Sequence, residues 1–230
     1  MQKILIGVLL LFVAVGSAFS APSFFSTTGN ILTPDDTLLT PGGFSINYHA
    51  IDYEDTDATP TIIGANVGVT PFLELGIARY DPDVAHADEE TIINGKYLIA
   101  PETATRPSIL AGVVDFTGEL DEDNDPGLYL LVSKNLTRLA SEMSGAPSRP
   151  LRGHLGFGTG IFDGLFASLD WTLNDRFSLM VEYLSGHEMC DGSAFNVGVR
   201  FALSNELRGD LALIDGDNLG FGISFTRIGL

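Results

Sequence analysis

Between Gly68 and Tyr80 the chain places Leu73, Leu75 and Ile77 on one face of an extended strand and Glu74, Gly76 and Ala78 on the other. Successive side chains on a strand point to opposite faces, so this spacing describes a wall with one greasy and one polar side. The same period of two recurs along the chain in segments of roughly ten residues, each bounded by turn chemistry. The expected spans are 43-53, 60-69, 72-80, 90-99, 107-116, 127-135, 151-160, 163-173, 176-185, 194-203, 206-214 and 218-227. The last five are the clearest: Leu165, Ala167, Leu169 and Trp171 oppose Ser168, Asp170 and Thr172, and Leu219, Phe221, Ile223 and Phe225 oppose Gly220, Gly222, Ser224 and Thr226.

Two architectures use such a pattern. In a soluble sandwich the polar faces meet water and carry a dense cover of Lys, Glu and Thr. Here those faces are sparse and small, with Gly, Ser and Asn around isolated ions, and the chain spends 26 glycines in and between its apolar pieces. Glycine inside a strand weakens it unless something needs the space. A barrel closed in lipid reverses the arrangement, with the apolar face outward and the small or polar face inward. Strands of about ten residues fit a tilted crossing of the hydrocarbon layer, and closure satisfies every backbone group there. The sequence therefore predicts an all-β fold, an up-and-down antiparallel transmembrane barrel of about twelve strands with short hairpin connections.

The amino terminus fits export. Lys3, the apolar run Ile4 to Val15 and the small-residue stretch from Gly16 to Ala21 follow the plan of a secretory signal, with cleavage expected after Ser20. The run falls short of the ~20 residues of a spanning helix. The expected organisation is a signal peptide at 1-20, a periplasmic or plug-like segment rich in Pro, Gly and Thr at 21-42, and an outer-membrane barrel at 43-230. The lone Cys190 forms no internal disulfide. A formal charge of −18 makes nucleic acid and anionic membrane surfaces poor partners.

Alternate connections differ in chemistry. Thr70-Pro71, Leu173-Asn174-Asp175 and Leu203-Ser204-Asn205 are short and nearly uncharged. The stretches from Asp52 to Asp57, Asp81 to Glu90, Glu119 to Asp125, Glu188 to Asp191, and Asp215-Gly216-Asp217 are acidic. With both termini in the periplasm, as an even strand count requires, the acidic set faces outside. The long connection from Leu136 to Pro150 is the exception and reads as partly helical on the periplasmic side.

The segments "DGLFASLDWTLNDRFSLMVEYLSG", "NVGVRFALSNELRGDLALIDGDNLGFGISF" and "TGNILTPDDTLLTPGGFSINYH" resemble the repeats of the YjbH-like, exopolysaccharide-associated barrels of the bacterial outer membrane. The likeness covers most of the chain after the signal, as a pattern of turns and glycines with no catalytic signature. It implies outer-membrane lipid and the barrel assembly machinery as partners, together with a periplasmic or polysaccharide-export partner. The last strand resembles the carboxy-terminal assembly signal of such barrels through Asn218, Gly220, Ile223 and Phe225, although it runs on to Leu230.

Motifs for chemistry are few, and neither a cofactor nor a metal is expected. Asp121-Glu122-Asp123-Asn124-Asp125 begins like a calcium loop but has Pro126 where an EF-hand needs Gly, and reads as a solvated acidic loop. His187-Glu188 lacks the second histidine of a zinc protease, and Cys190 beside it reads as incidental. Asn135-Leu136-Thr137 matches a glycosylation sequon, idle in a bacterium. His49, His154 and Asp170 are components of a hydrolase, but sequence separation does not place them together. No catalytic residue is therefore assigned, and the chain does not read as an enzyme. The expected lumen lining is Asn47, His49, Asn66, Glu74, Lys96, Arg152, His154, Asp170, Glu182, Arg200, Arg208 and Asp210, charges of both signs pairing with one another, with Lys96 on the next strand as the partner of Glu74. Three functions stay open: a passive channel or export accessory for a polar solute or exopolysaccharide, a plugged structural or assembly barrel that binds a periplasmic partner, and a secreted soluble β protein.

Overall fold

The computed structural model describes residues 21-54, 58-85, 87-121, 123-138, 141, 143, 149-187 and 192-229. The expected signal peptide at 1-20, Glu188, Cys190 and most of the 136-150 connection lie outside the described residues.

Twelve strands follow in order: β1 (Phe44–Asp52), β2 (Thr61–Thr70), β3 (Leu73–Asp81), β4 (Glu90–Ala100), β5 (Ser108–Val114), β6 (Gly127–Asn135), β7 (Leu151–Gly158), β8 (Gly164–Thr172), β9 (Phe177–His187), β10 (Gly192–Ala202), β11 (Leu207–Ile214) and β12 (Asn218–Arg227). Each pairs antiparallel with its sequence neighbours, and β1 pairs with β12 from Phe44 opposite Arg227 to Asp52 opposite Leu219, which closes the barrel. Every strand lies within two residues of its expected span. Strand β7 stops earlier because Gly160 (φ 55°) leads into a 3-10 turn at Gly160–Phe162 that folds over the lumen. No helix among the described residues is long and apolar enough to cross a membrane; strands of this length are what cross.

The exterior is apolar. Ile46, Ile63, Leu75, Ile77, Ile93, Leu155, Leu169, Val197, Leu211 and Ile223 are all exposed. Phe44, Phe72, Trp171 and Phe177 ring the end at which β1 begins and β12 finishes, and Phe116, Phe157, Tyr183 and Phe195 ring the other. An apolar band between aromatic girdles is the surface that a bilayer requires of a barrel and water does not tolerate over this extent. This excludes the soluble sandwich reading.

The interior splits into two halves. Toward the end bearing the termini, the inward residues are polar: Ser45, Asn47, Asn66, Glu74, Lys96, Ser133, His154, Ser168 and Glu182 are buried. Toward the end bearing the acidic loops they are apolar: Ile51, Ile62, Ile92, Val114, Phe166, Leu184 and Ile214 are buried as fully as any soluble core. The expectation that inward faces are small and polar therefore fails in this half, because those strands carry apolar residues on both faces and bury one set inside.

Candidate functional site

The lumen is filled by the chain's own amino-terminal segment. Residues 21-34 are all buried, from Ala21 at 0% exposure to Ile31 at 7%. Pro, Gly and Thr favour tight turns over regular structure, and the segment coils on itself through bridges between Pro22 and Thr28 and between Gly29 and Pro34. Ser23 N donates to Thr27 O (2.7 Å) and Phe24 N to Ile31 O (2.8 Å). The chain then passes the polar half of the lumen through Asp35 and Asp36 and leaves beside Gly68 and Gly229, where β1 begins.

Charged wall residues hold this coil by its backbone. Glu182 on β9 accepts from the amides of Ile31 (2.8 Å), Leu32 (2.9 Å) and Thr33 (3.1 Å) and from Thr33 Oγ1 (2.6 Å). Glu74 on β3 accepts from the amides of Thr28 (3.1 Å) and Leu39 (2.9 Å) and from Thr28 Oγ1 (3.0 Å). Lys96 Nζ on β4 donates to Thr28 O (2.6 Å), Thr37 O (2.7 Å) and Asp35 Oδ1 (3.1 Å). Arg200 on β10 donates to the carbonyls of Gly29 (2.9 Å) and Asn30 (3.1 Å) while pairing with Asp210 at 2.7 Å. These are charge-assisted bonds to groups that would otherwise be buried without partners.

Glu74 and Lys96 do stand opposite each other across β3 and β4. Between them lies Thr28, whose hydroxyl meets both, and the ion pair of Lys96 is with Asp35. The expectation that lumen charges pair with one another is thus met only in part: Arg200 with Asp210 and His154 with Asp170 do so, whereas Glu74, Glu182 and Lys96 bind the segment.

The other expected residues also face inward. Asn47 Oδ1 accepts from Ser26 Oγ (2.8 Å), and its amide touches His49 Nδ1 (3.1 Å). His49 Nε2 is 3.7 Å from Asp210, and Asn66 donates to Ser45 Oγ (3.2 Å). Arg152 on β7 pairs with Asp36 (2.7 Å) and Glu102 (3.0 Å). Arg208 turns to the turn carbonyls of Ser204 (2.8 Å) and Asn205 (3.2 Å). Sequence reasoning missed Asn94, which donates to Phe25 O (2.7 Å), Asn30 and Ser168, joined at 2.8 Å, and Asn196, which donates to Glu182. The glycines were the available signal. A Cβ at Gly64 would run into Ser26 and one at Gly198 into Ile31, so the wall is pared back where the segment lies.

The apolar half is closed by aromatic packing. Phe24 and Phe25 meet edge to face at 5.4 Å; Phe25 meets Phe162 at 6.2 Å, and Phe162 meets Tyr129 at 5.7 Å and Phe166 at 5.3 Å. A void of about 20 Å³ beside Phe24, Ile31, His49 and Asp210 has room for roughly one water.

His154 accepts or donates at both ring nitrogens, to Ser133 Oγ (2.7 Å) and Asp170 Oδ2 (2.8 Å), while His49 belongs to Asp210. The Ser133, His154 and Asp170 connectivity is that of a nucleophile set. Ser133 is 1% exposed beneath the segment, so no substrate reaches it in this state. Among the described residues no group of three or more His, Cys, Asp or Glu is arranged to hold a metal, and Asp121 accepts from its own turn at Asp123 and Asp125.

An apolar outer wall and closed β1 to β12 pairing define a twelve-strand up-and-down barrel of the bacterial outer membrane. Among solved structures the chain is similar to the KdgM porin (TM-score 0.55, 12% identity, 80% of this chain and 99% of that one). It is similar also to the NanC porin (0.53, 8%, 80% and 100%) and to the Acinetobacter baumannii outer membrane protein Omp33 (0.50, 6%, 81% and 97%). At such identities the likeness is one of fold. No protein family and no curated protein matches the sequence.

Proposed function

We propose that this chain is an outer-membrane barrel of porin type, shut by residues 22-39, which passes a polar solute or assists exopolysaccharide export when that segment withdraws. The observation that carries the reading is the manner of closure. The segment donates backbone amides to Glu74 and Glu182 and accepts at its carbonyls from Lys96 and Arg200, and the same groups would line a hydrated passage if it left. The resemblance to porins supports a channel, and the resemblance of the turn and glycine pattern to YjbH-like barrels supports a polysaccharide-linked role. A cut after Ser20 would leave the exported chain beginning with the segment that fills the lumen.

A second reading, a permanently closed structural barrel, is favoured by the apolar half of the lumen. Ile51, Ile62, Phe166, Leu184 and Ile214 would border any passage there, and an apolar constriction resists wetting. Planar bilayer recording separates the two. The exported chain is expected to insert silently, and a chain lacking residues 22-38 to carry stepwise current. Insertion of the shortened chain without current would defeat the channel reading in favour of the structural one.

A further inference from the structure

The lipid-facing wall carries a groove of about 460 Å³ across β6 to β10. Its floor is made by two small outward positions, Gly153 and Ala167. Leu136 and Leu169 stand over Gly153, at 3.3 and 3.5 Å from where its Cβ would lie. Ala167 points away from the lumen, because Phe166 and Ser168 on either side of it are buried inside. Tyr183 and Phe195, opposite each other across β9 and β10 and both half-exposed, form the far wall. The groove therefore lies in the apolar band, where the surrounding medium is hydrocarbon. It runs obliquely from the aromatic girdle at the acidic-loop end toward Lys134 and Leu136 at the end bearing the termini.

Charge is divided between those two ends. The connections at the acidic-loop end contain no Lys or Arg, so the chain's excess of acid is concentrated there. At the other end the connections from β4 to β5, β6 to β7 and β8 to β9 carry Arg106, Arg138, Arg149 and Arg176, whereas those from β2 to β3 and β10 to β11 carry none. The basic stretch of the rim thus stands above the groove. Arg149 is placed at its mouth: the Arg149 carbonyl accepts from Thr137 Oγ1 (3.1 Å), one residue beyond Leu136. Its guanidinium gives Nη1 to Asp175 at 2.6 Å, with the two side chains 52% and 89% exposed. Such an exposed pair contributes little, and the remaining donors of the fork suit a phosphate.

From this juxtaposition we infer that the groove and the basic rim bind an anionic phospholipid, an acyl chain lying over Gly153 and Ala167 and the phosphate on Arg149. The chain's overall negative charge does not oppose this, because the headgroup sits at the end from which the acidic loops are absent. A second copy is the poorer occupant. A two-fold interface on this face would bring the same arginines of both chains together.

The test is native mass spectrometry of the exported chain in mild detergent, titrated with phosphatidylglycerol or with phosphatidylethanolamine bearing the same acyl chains. One phosphatidylglycerol adduct is expected, about fivefold stronger than its phosphatidylethanolamine counterpart, the effect of one cation beside an anionic headgroup. Ala167→Phe fills the groove from the lipid side and should weaken that adduct at least about tenfold. Ala65→Phe, an outward exchange on β2 away from the groove, should leave it unchanged. Arg149→Gln should keep an adduct and abolish the preference between headgroups. Heat-modifiable mobility establishes that each variant has folded. Equal adducts on the natural chain and Ala167→Phe, equal affinity of the natural chain for the two lipids, or an intact preference in Arg149→Gln overturns the inference. So does a chain dimer that Ala167→Phe abolishes, which would give the groove to a second copy.

Discussion

Replacing Glu182 with Gln tests whether a single carboxylate latches the segment. Its Oε1 takes the Ile31 and Thr33 amides and the Thr33 hydroxyl; Oε2 takes the Leu32 amide and Asn196 Nδ2. A glutamine retains one acceptor oxygen and turns an NH2 toward the other two donors. The Leu32 amide is then buried unpaired, which costs about 1–3 kcal/mol, and three surviving bonds lose charge assistance. Relief of a buried charge offsets part of this, leaving about 3 kcal/mol, or about 100-fold in the equilibrium between seated and released segment. Hydrogen exchange followed by mass spectrometry reads that equilibrium directly. Peptides spanning 22-34 should exchange about 100-fold faster in the variant, while those within β9 and β10 stay protected. Protection of 22-34 unchanged within about twofold would refute the latch and assign the seating to aromatic packing instead.

Four further outcomes follow from the same geometry. Leu75→Arg places a charge on the lipid face, where Leu75 is 44% exposed, and should lower folding into bilayers by about 2–4 kcal/mol in urea titrations with vesicles. Gly64→Val drives a side chain into Ser26; the barrel should keep its heat-modifiable mobility while 22-34 lose exchange protection. Phe25→Ala opens the aromatic cluster with Phe162 and should cost about 3–5 kcal/mol, read as a lower midpoint in the same urea titration. Burial pushes the Asp35 carboxyl up, but the Lys96 ammonium and neighbouring donors hold it below the ordinary aspartate range. A carboxyl depressed in the folded state stabilises above its unfolded pKa and loses that contribution as pH falls through the folded one. The protection factor of the segment, corrected for the pH dependence of intrinsic amide exchange, should therefore hold from neutral pH to the ordinary aspartate pKa and fall as pH drops from there toward the lowered one.

Much of this architecture was written in the period-two pattern. Leu73, Leu75 and Ile77 against Glu74 and Gly76 gave both the strand and the direction of its faces, and turn residues placed the strand ends. What the pattern could not carry is which apolar face meets lipid when both are apolar. In Ile62-Ile63, Ile92-Ile93 and Ile109-Leu110 one neighbour is exposed or half-buried and the other fully buried, and alternation is silent on such doublets. The partners of Glu182 and Lys96 were illegible for another reason. They are backbone amides and carbonyls of an irregular segment, so no residue type announces them, and the wall glycines opposite Ser26 and Ile31 were their only trace.

The segment runs straight into β1, and β1 completes the wall by pairing with β12, so the residues that fill the bore adjoin the seam that closes it. The seam joins the two most distant strands of the sequence and carries the largest loop-closure entropy of any pairing here. Glu182 on β9 and Arg200 on β10 grip residues 29-33, which tethers the chain just ahead of β1 to strands near β12 and shortens the search for that seam. The coil that stops the bore thus doubles as a clasp, bridging the first strand of the sheet to β9 and β10 across the lumen.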